Sequence, residues 1–282
     1  MDNLTGFALF FASVPTSTKE KVLNPSAETL GKGLNGIVSL LANPFIKLGI
    51  LAESDVRKYE ENIYHETAKV KDINRDSSKQ GLALQALEDS YYQIDKEDFR
   101  KYFSRLIAAS LDKTKNNLVH PSFSVILKQM SSDDARLLAS LQKFSSKYFS
   151  PYIPLVNAQA RFKNDGGFTM MFQDSVVISP DLKGIIDNPV SISSLERLGL
   201  VKVNRHSELL GGTRKIGELN PDSNSRSFIN GPSFAEFYST IQLTDEYKKQ
   251  SEFVGRFYET IEIFKGSVEI THLGKAFSNI IL

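Results

Sequence analysis

The side chains best suited to moving a proton near neutral pH are the four histidines, at positions 65, 120, 206 and 272. Their wide separation shows none of the short spacings that put two imidazoles on one metal ion. Cysteine is absent, which excludes disulfides, thiol catalysis and Cys-type zinc sites and fits a reducing compartment. The pair that invites a chemical reading is Asp112 with His120, because a carboxylate can orient an imidazole as a general base. No nucleophile or third orienting group is readable beside them, so the pair is expected to be a buried polar link between two helices. The run Leu210-Gly211-Gly212-Thr213-Arg214-Lys215 has the composition of a phosphate-binding loop. It lacks the G-x-x-x-x-G-K-[ST] spacing and no apolar strand leads into it, so it reads as a flexible surface loop. No catalytic residue, metal ligand or cofactor is assigned.

Thirty-four basic side chains oppose thirty-three acidic ones, so no global field favours nucleic acid or an anionic membrane. A local nucleic-acid contact would have to come from Arg197, Arg205, Arg214 and Lys215. The segment 190–198, which would be the recognition helix of a DNA-binding reading, holds Ser191, Ser193, Ser194, Glu196 and Arg197. One base against one acid is poor in the phosphate contacts that normally supply affinity, so any DNA binding is expected to be weak.

Behind these residues stand elements that must position them. At 282 residues, 41% hydrophobic and 24% charged, the chain has an ordinary globular balance and a length natural for two domains. The apolar run 6–12 has no basic residue before it and is too short to span a bilayer, so a short segment docked on the protein is expected. Residues 27–52 are rich in Leu and Ile, yet Glu28, Lys32, Asn35 and Lys47 interrupt them and Pro44 breaks them. A pair of buried helices is expected there; the alternative is a membrane-contacting hairpin.

From Ser54, Val56, Tyr59, Ile63, Val70 and Ile73 recur at helical spacing. A second helix carries Leu82, Ala83, Ala86, Leu87 and Tyr91 on one face. A third is expected to start with Asp95 as N-cap and to bury Phe99, Phe103 and Leu106. The aromatics at 91, 92, 99, 102 and 103 are read as core rather than as a stacking platform. Pro121 suits a first helical turn, and Ser131-Ser132-Asp133-Asp134 reads as another helix start.

The run from Leu106 to Leu141 resembles the abortive infection alpha family. The resemblance rests on Leu-Ile-Ala-Ala-Ser-Leu-Asp at 106–112, His-Pro-Ser-Phe at 120–123, Ile-Leu-Lys-Gln-Met-Ser at 126–131 and Asp-Ala-Arg-Leu-Leu at 134–138. It implies a role in bacterial abortive infection against phage and carries no catalytic assignment. Most of the signature positions, which include Asp112, His120, Pro121, Phe123 and Asp134, have a structural explanation: Phe123 packs, Pro121 starts a helix and Asp134 caps one.

In the C-terminal half, residues 149–162 carry Pro151 and Pro154 and read as a connector or edge strand. Strands are expected at 168–172, 176–178 and 267–271, and a helix opens at Asn188-Pro189. That helix runs through Leu195 to Gly199 and directly into Val201-Lys202-Val203, as a winged helix leaves its third helix for its wing. Residues 234–264 are left open between helix and strand. The fold class is α+β: a helical domain, 1–118, followed by a divergent winged-helix-like mixed α/β domain, 119–282, with a long insertion around 205–265. The functional expectation is a cytoplasmic, non-enzymatic interaction or sensor-effector protein with a protein partner or a homo-oligomeric state. The alternatives are a DNA-binding regulator and a membrane-acting effector using 27–52.

Overall fold

The periodicities seen in the sequence are realised in a computed structural model that describes Val38, Ala42, Ile46, Lys47, Gly49 and residues 51–76, 78–163, 166–205 and 234–282. The chain is α+β, and it forms two compact units: residues up to Met130 together with Asn279–Leu282, and Ser131–Ser278.

In the first unit, α1 (Glu53–Ala68), α2 (Gln80–Ser90), α3 (Glu97–Ser110) and α4 (Ser122–Gln129) pack as a helical layer. Both α1 and α2 pack on α3, whose Phe99, Phe103, Leu106 and Ile107 are almost wholly buried. Val56, Tyr59 and Ile63 of α1 supply the facing stripe. Val38 and Ala42 are helical and fully buried, as expected of a buried helix pair; the rest of 27–50, apart from Ile46, Lys47 and Gly49, lies outside the described residues, as does 1–37.

Three sequence expectations are corrected in this unit. Asp95 is not the N-cap of α3; Lys96 is, without a side-chain cap. The Arg100 guanidinium donates to the Ile94 and Asp95 carbonyls and to the Asp55 carboxylate, which holds residues 94–95 in a turn ahead of the helix. Ile73 does not continue the apolar face of α1, because the helix ends at Ala68, and Ile73 is 77% exposed. The aromatic set is core at Tyr91, Phe99 and Phe103, whereas Tyr92 is 64% exposed beneath the Lys128 ammonium. The units divide after Met130 rather than at 118, because α4 packs against α2 and α3 and Gln93 Nε2 holds the Lys128 and Met130 carbonyls.

The second unit opens with α5 (Ser132–Tyr148). Its capping box is complete: Asp134 N–H donates to Ser131 Oγ, and Ser131 N–H donates to the Asp134 carboxylate. A five-stranded antiparallel sheet follows, in the order β3-β2-β1-β5-β4. Its strands are β1 (Tyr152–Phe162), β2 (Phe168–Val177), β3 (Ile185–Ile186), β4 (Val201–Asn204) and β5 (Tyr258–Ile270).

The segment read as a connector or edge is the central strand. Pro154 is tolerated in β1 because the ladder to β2 begins only at Leu155↔Val176, so Pro154 pairs with β5 alone, at Ser267. The strands expected at 168–172 and 176–178 are one strand, β2, which carries two register shifts against β1. Residues 234–251 are helical: α7 (Phe234–Ser239), a turn at Thr240–Leu243 and α8 (Asp245–Ser251). Residues 258–265, expected within the insertion, are instead the paired first part of the longest strand, β5. Phe237 of α7 meets Phe144 and Tyr148 edge-on at 5.6 and 5.7 Å, so the aromatic-rich stretch closes over α5 as core.

Helix α6 (Pro189–Arg197) begins as the sequence reads: Asn188 Oδ1 accepts from Ser191 N–H, and Pro189 occupies the first turn. It ends at Gly199, whose φ of +73° is the left-handed conformation that glycine adopts without strain. The chain then enters β4, which pairs with the end of β5, from Val201↔Ile270 to Asn204↔Ser267. The last helix, α9 (His272–Ile281), starts against this corner. A Cβ at Gly274 would lie 2.1 Å from the Leu200 carbonyl oxygen, and that neighbour is backbone. Gly274→Val is therefore expected to destabilise the protein by roughly 1–3 kcal/mol or more, read as a lower urea midpoint with unchanged slope.

Candidate functional site

A carboxylate in the middle of a strand is costly to bury unless a cation answers it. Asp174 is such a group. It lies at the second β2 bulge with φ of +50°, and its side chain is 2% exposed. Its N–H donates to Asn157 Oδ1 on β1 at 2.9 Å. Its carboxylate receives Arg205, with Nε at 3.1 Å from both oxygens and Nη2 at 2.8 Å from Oδ2. Arg205 Nη2 also reaches Glu196 Oε2 at 3.2 Å, and Glu196 Oε1 accepts from Val203 N–H. The hydrogen bonds it donates to Asp174, and then to Glu196, hold the Arg205 guanidinium above its ordinary range. Beside them Ser175 Oγ donates to Asp187 Oδ1. One network thus ties the β2 bulge, α6 and the end of β4.

No spacing in the sequence joins residues 157, 174, 196 and 205. Arg205, expected as a possible nucleic-acid contact, shares its charge with two carboxylates. Arg197 is exposed on the last turn of α6. Arg214 and Lys215 lie outside the described residues, as does His206.

Three signature positions, Asp134, Phe123 and Pro121, sit at helix starts or in the core. Asp134 closes the α5 capping box and its Oδ2 also accepts from Ser194 Oγ of α6, so one carboxylate joins two helices. Phe123 is fully buried on α4, and Pro121 occupies the N-cap position of that helix. The expected Asp112–His120 link is not formed. Asp112 Oδ1 accepts from Thr114 N–H and Oγ, and its backbone is bridged to Arg75. His120 is exposed, and its Nδ1 meets the N–H and hydroxyl of Ser122 at the start of α4. Each side chain is satisfied within two residues of itself, so neither needs the other. Two loops meet around Asp112: Asp76 N–H donates to the Leu111 carbonyl, Lys113 N–H to the Asn74 carbonyl, and Asn116 Nδ2 to the Asp76 carboxylate. Hydrogen bonds from Ser78 and then Asn116 hold the Asp76 carboxyl below the usual range.

A second charged row lies on the sheet, where Arg161 and Gln159 of β1 both donate to Glu262 of β5. Arg161 first, and then Gln159, hold that carboxyl low. Among the described residues no group of three or more His, Cys, Asp or Glu side chains is placed to hold a metal ion. Among them also, no helix is long and apolar enough to cross a membrane.

The whole of this architecture, from the start of α1 to the end of α9, is one family unit. The model of the abortive infection alpha family matches residues 52–281, and the chain belongs to that family. No curated protein and no solved structure matches it.

Two outcomes follow from the geometry. Arg205→Met leaves the buried Asp174 carboxylate unpaired and should cost about 3 kcal/mol, the low end for a broken buried pair because the Arg205 side chain is 41% exposed. Asp174→Asn, which keeps the side chain suited to the left-handed conformation and leaves Arg205 its Glu196 partner, should cost less; chemical denaturation of both variants checks the order. His120→Ala removes only a local bond at the α4 start, so a loss of ~0.5–1 kcal/mol is expected, with function unchanged per folded molecule. A folded His120→Ala protein without activity would restore a chemical role to that imidazole.

Proposed function

We propose that this protein acts in bacterial abortive infection against phage as a cytoplasmic, non-enzymatic interaction or sensor-effector protein. The observation that carries the reading is the family match, which spans both compact units rather than one module. The helical unit and the α/β unit then serve as surfaces for a protein partner or another copy of the chain. The passage from α6 through Gly199 into β4, with β4 antiparallel to β5 and α9 after it, supports a winged-helix-like description of the second unit's centre.

A winged-helix-like centre also raises a DNA-binding regulator, and the charges weigh against it. Segment 190–198 presents Arg197 beside Glu196, and Arg205 is engaged by Asp174 and Glu196. Phosphate contacts need cations that are not already neutralised. The membrane-acting alternative draws on 27–52, where the described Val38 and Ala42 are buried.

The test is expression in a bacterium challenged with a panel of phages, counting plaques and surviving infected cells. Fewer plaques together with death of the infected cells is the expected result. Unchanged plaque counts across the panel, or protection in which infected cells survive and divide, would overturn the abortive reading. Sub-micromolar, sequence-selective duplex binding at physiological salt would replace it with the regulator.

A further inference from the structure

Strand β2 has a neighbour along only part of its outer side. The sheet runs β3-β2-β1-β5-β4, and β3 reaches β2 only at Val176 and Val177. From Phe168 to Gln173 no strand lies on that side among the described residues, so the outward main-chain donors and acceptors there enter no ladder. Sheet edges are usually blunted by a charge, a proline or a bulge. The run Phe168-Thr169-Met170-Met171-Phe172-Gln173 holds neither a charge nor a proline. The two register shifts against β1 fall beyond Met170, so Phe168, Thr169 and Met170 pair regularly with Arg161, Ala160 and Gln159.

The exposed face is apolar at this margin and polar inward of it. Phe168 is 57% exposed and Met170 43%, and their cross-strand partners are Arg161 and Gln159. Both of those side chains donate to Glu262 of β5, so the charge of that row cancels within it. Two large apolar side chains thus stand at the border that lacks a neighbour, beside a row that leaves no net charge to repel its own copy.

From this we infer that two copies of the chain associate edge to edge, β2 antiparallel to the partner's β2, about a two-fold axis at Thr169. This register confines the new ladder to the regular residues 168–170. It sets Phe168 against the partner's Met170, a thioether–aromatic contact made twice by symmetry. On the other face it sets Thr169 against the partner's Thr169, a favourable cross-strand pair. The segment carries no charge, so an antiparallel copy brings no like charges together and the segment is its own complement. The ladder is short, so the dimer is concentration-dependent rather than obligate. The inference rests on the reading in which another copy of the chain is the partner. It is tested on purified protein without phage, so its failure and that of the abortive-infection reading are separate results.

Sedimentation equilibrium of the full chain should show monomer–dimer exchange. Met170→Lys, at an exposed position, places an ammonium against the partner's Phe168 and should weaken association several-fold or more while the fold is retained. The chain has no cysteine, so Thr169→Cys supplies a single thiol. Across the axis the two Cα atoms would stand about 4.5–5.5 Å apart, within the reach of a disulfide. Under copper-catalysed air oxidation Thr169→Cys should form a covalent dimer several-fold faster than Lys249→Cys, at an exposed position of α8. An unaltered chain that stays monomeric up to its solubility limit, undiminished association of Met170→Lys, or cross-linking of Thr169→Cys no faster than the control would each overturn the inference. Should Met170→Lys fail to fold, the cross-linking comparison decides it.

Discussion

The α/β unit turns on one buried ion pair. Asp174 sits where β2 bulges away from β1, in a conformation that most side chains avoid, and its carboxylate is out of reach of water. Such a placement persists only where the surroundings over-determine it. Asn157 takes the bulge N–H and Arg205 takes the carboxylate through both ends of its fork. Because Arg205 lies just past β4 and also touches Glu196 of α6, satisfying one carboxylate aligns three elements. The helix-to-strand corner at Gly199, the β4–β5 pairing and the close seat of Gly274 against Leu200 are all built beside this clamp.

The helical unit solves a different problem. Its connections are polar and must be satisfied without a sheet, so they pair with one another. Residues 74–76 exchange main-chain bonds with 111–113, Asn116 reaches Asp76, and Lys79 donates to the carbonyls of Asn116 and Val119. Asp112 belongs to this knot. Its place in the family signature thus has a physical basis in loop closure, while Asp134 has one in capping a helix and holding Ser194 of a second. Both signature carboxylates thus take part in holding the architecture.

Where the same helix changes from large to small side chains, the packing rule that fills interiors is relaxed locally. The hollow next to Ala108 and Ala109 takes its charged lining from the end of α1, at Glu66 and Lys69, from Arg105 of α3, and from Asp112 and Lys115 just after it.

The sequence by itself determined the features that depend on neighbours within a few residues. The Ser131/Asp134 capping box, the Asn188-Pro189 start of α6, the glycine stop at 199 and the periodic faces of α1 to α3 are local. Backbone hydrogen bonding and side-chain spacing specify them without reference to the rest of the chain. The tertiary structure alone decided what depends on distant partners. Pro154 reads as an edge residue until the register shows that β2 joins β1 one residue later. The Asp112–His120 pairing looked plausible by residue type, yet each group found a nearer partner, since a local bond costs less ordering than a distant one. Nothing in the sequence pairs Arg205 with its carboxylates, which stand 31 and 9 residues away in the chain. Strand order, bulge position and the matching of buried charges are set by which segments meet in space, and sequence separation carries no record of that.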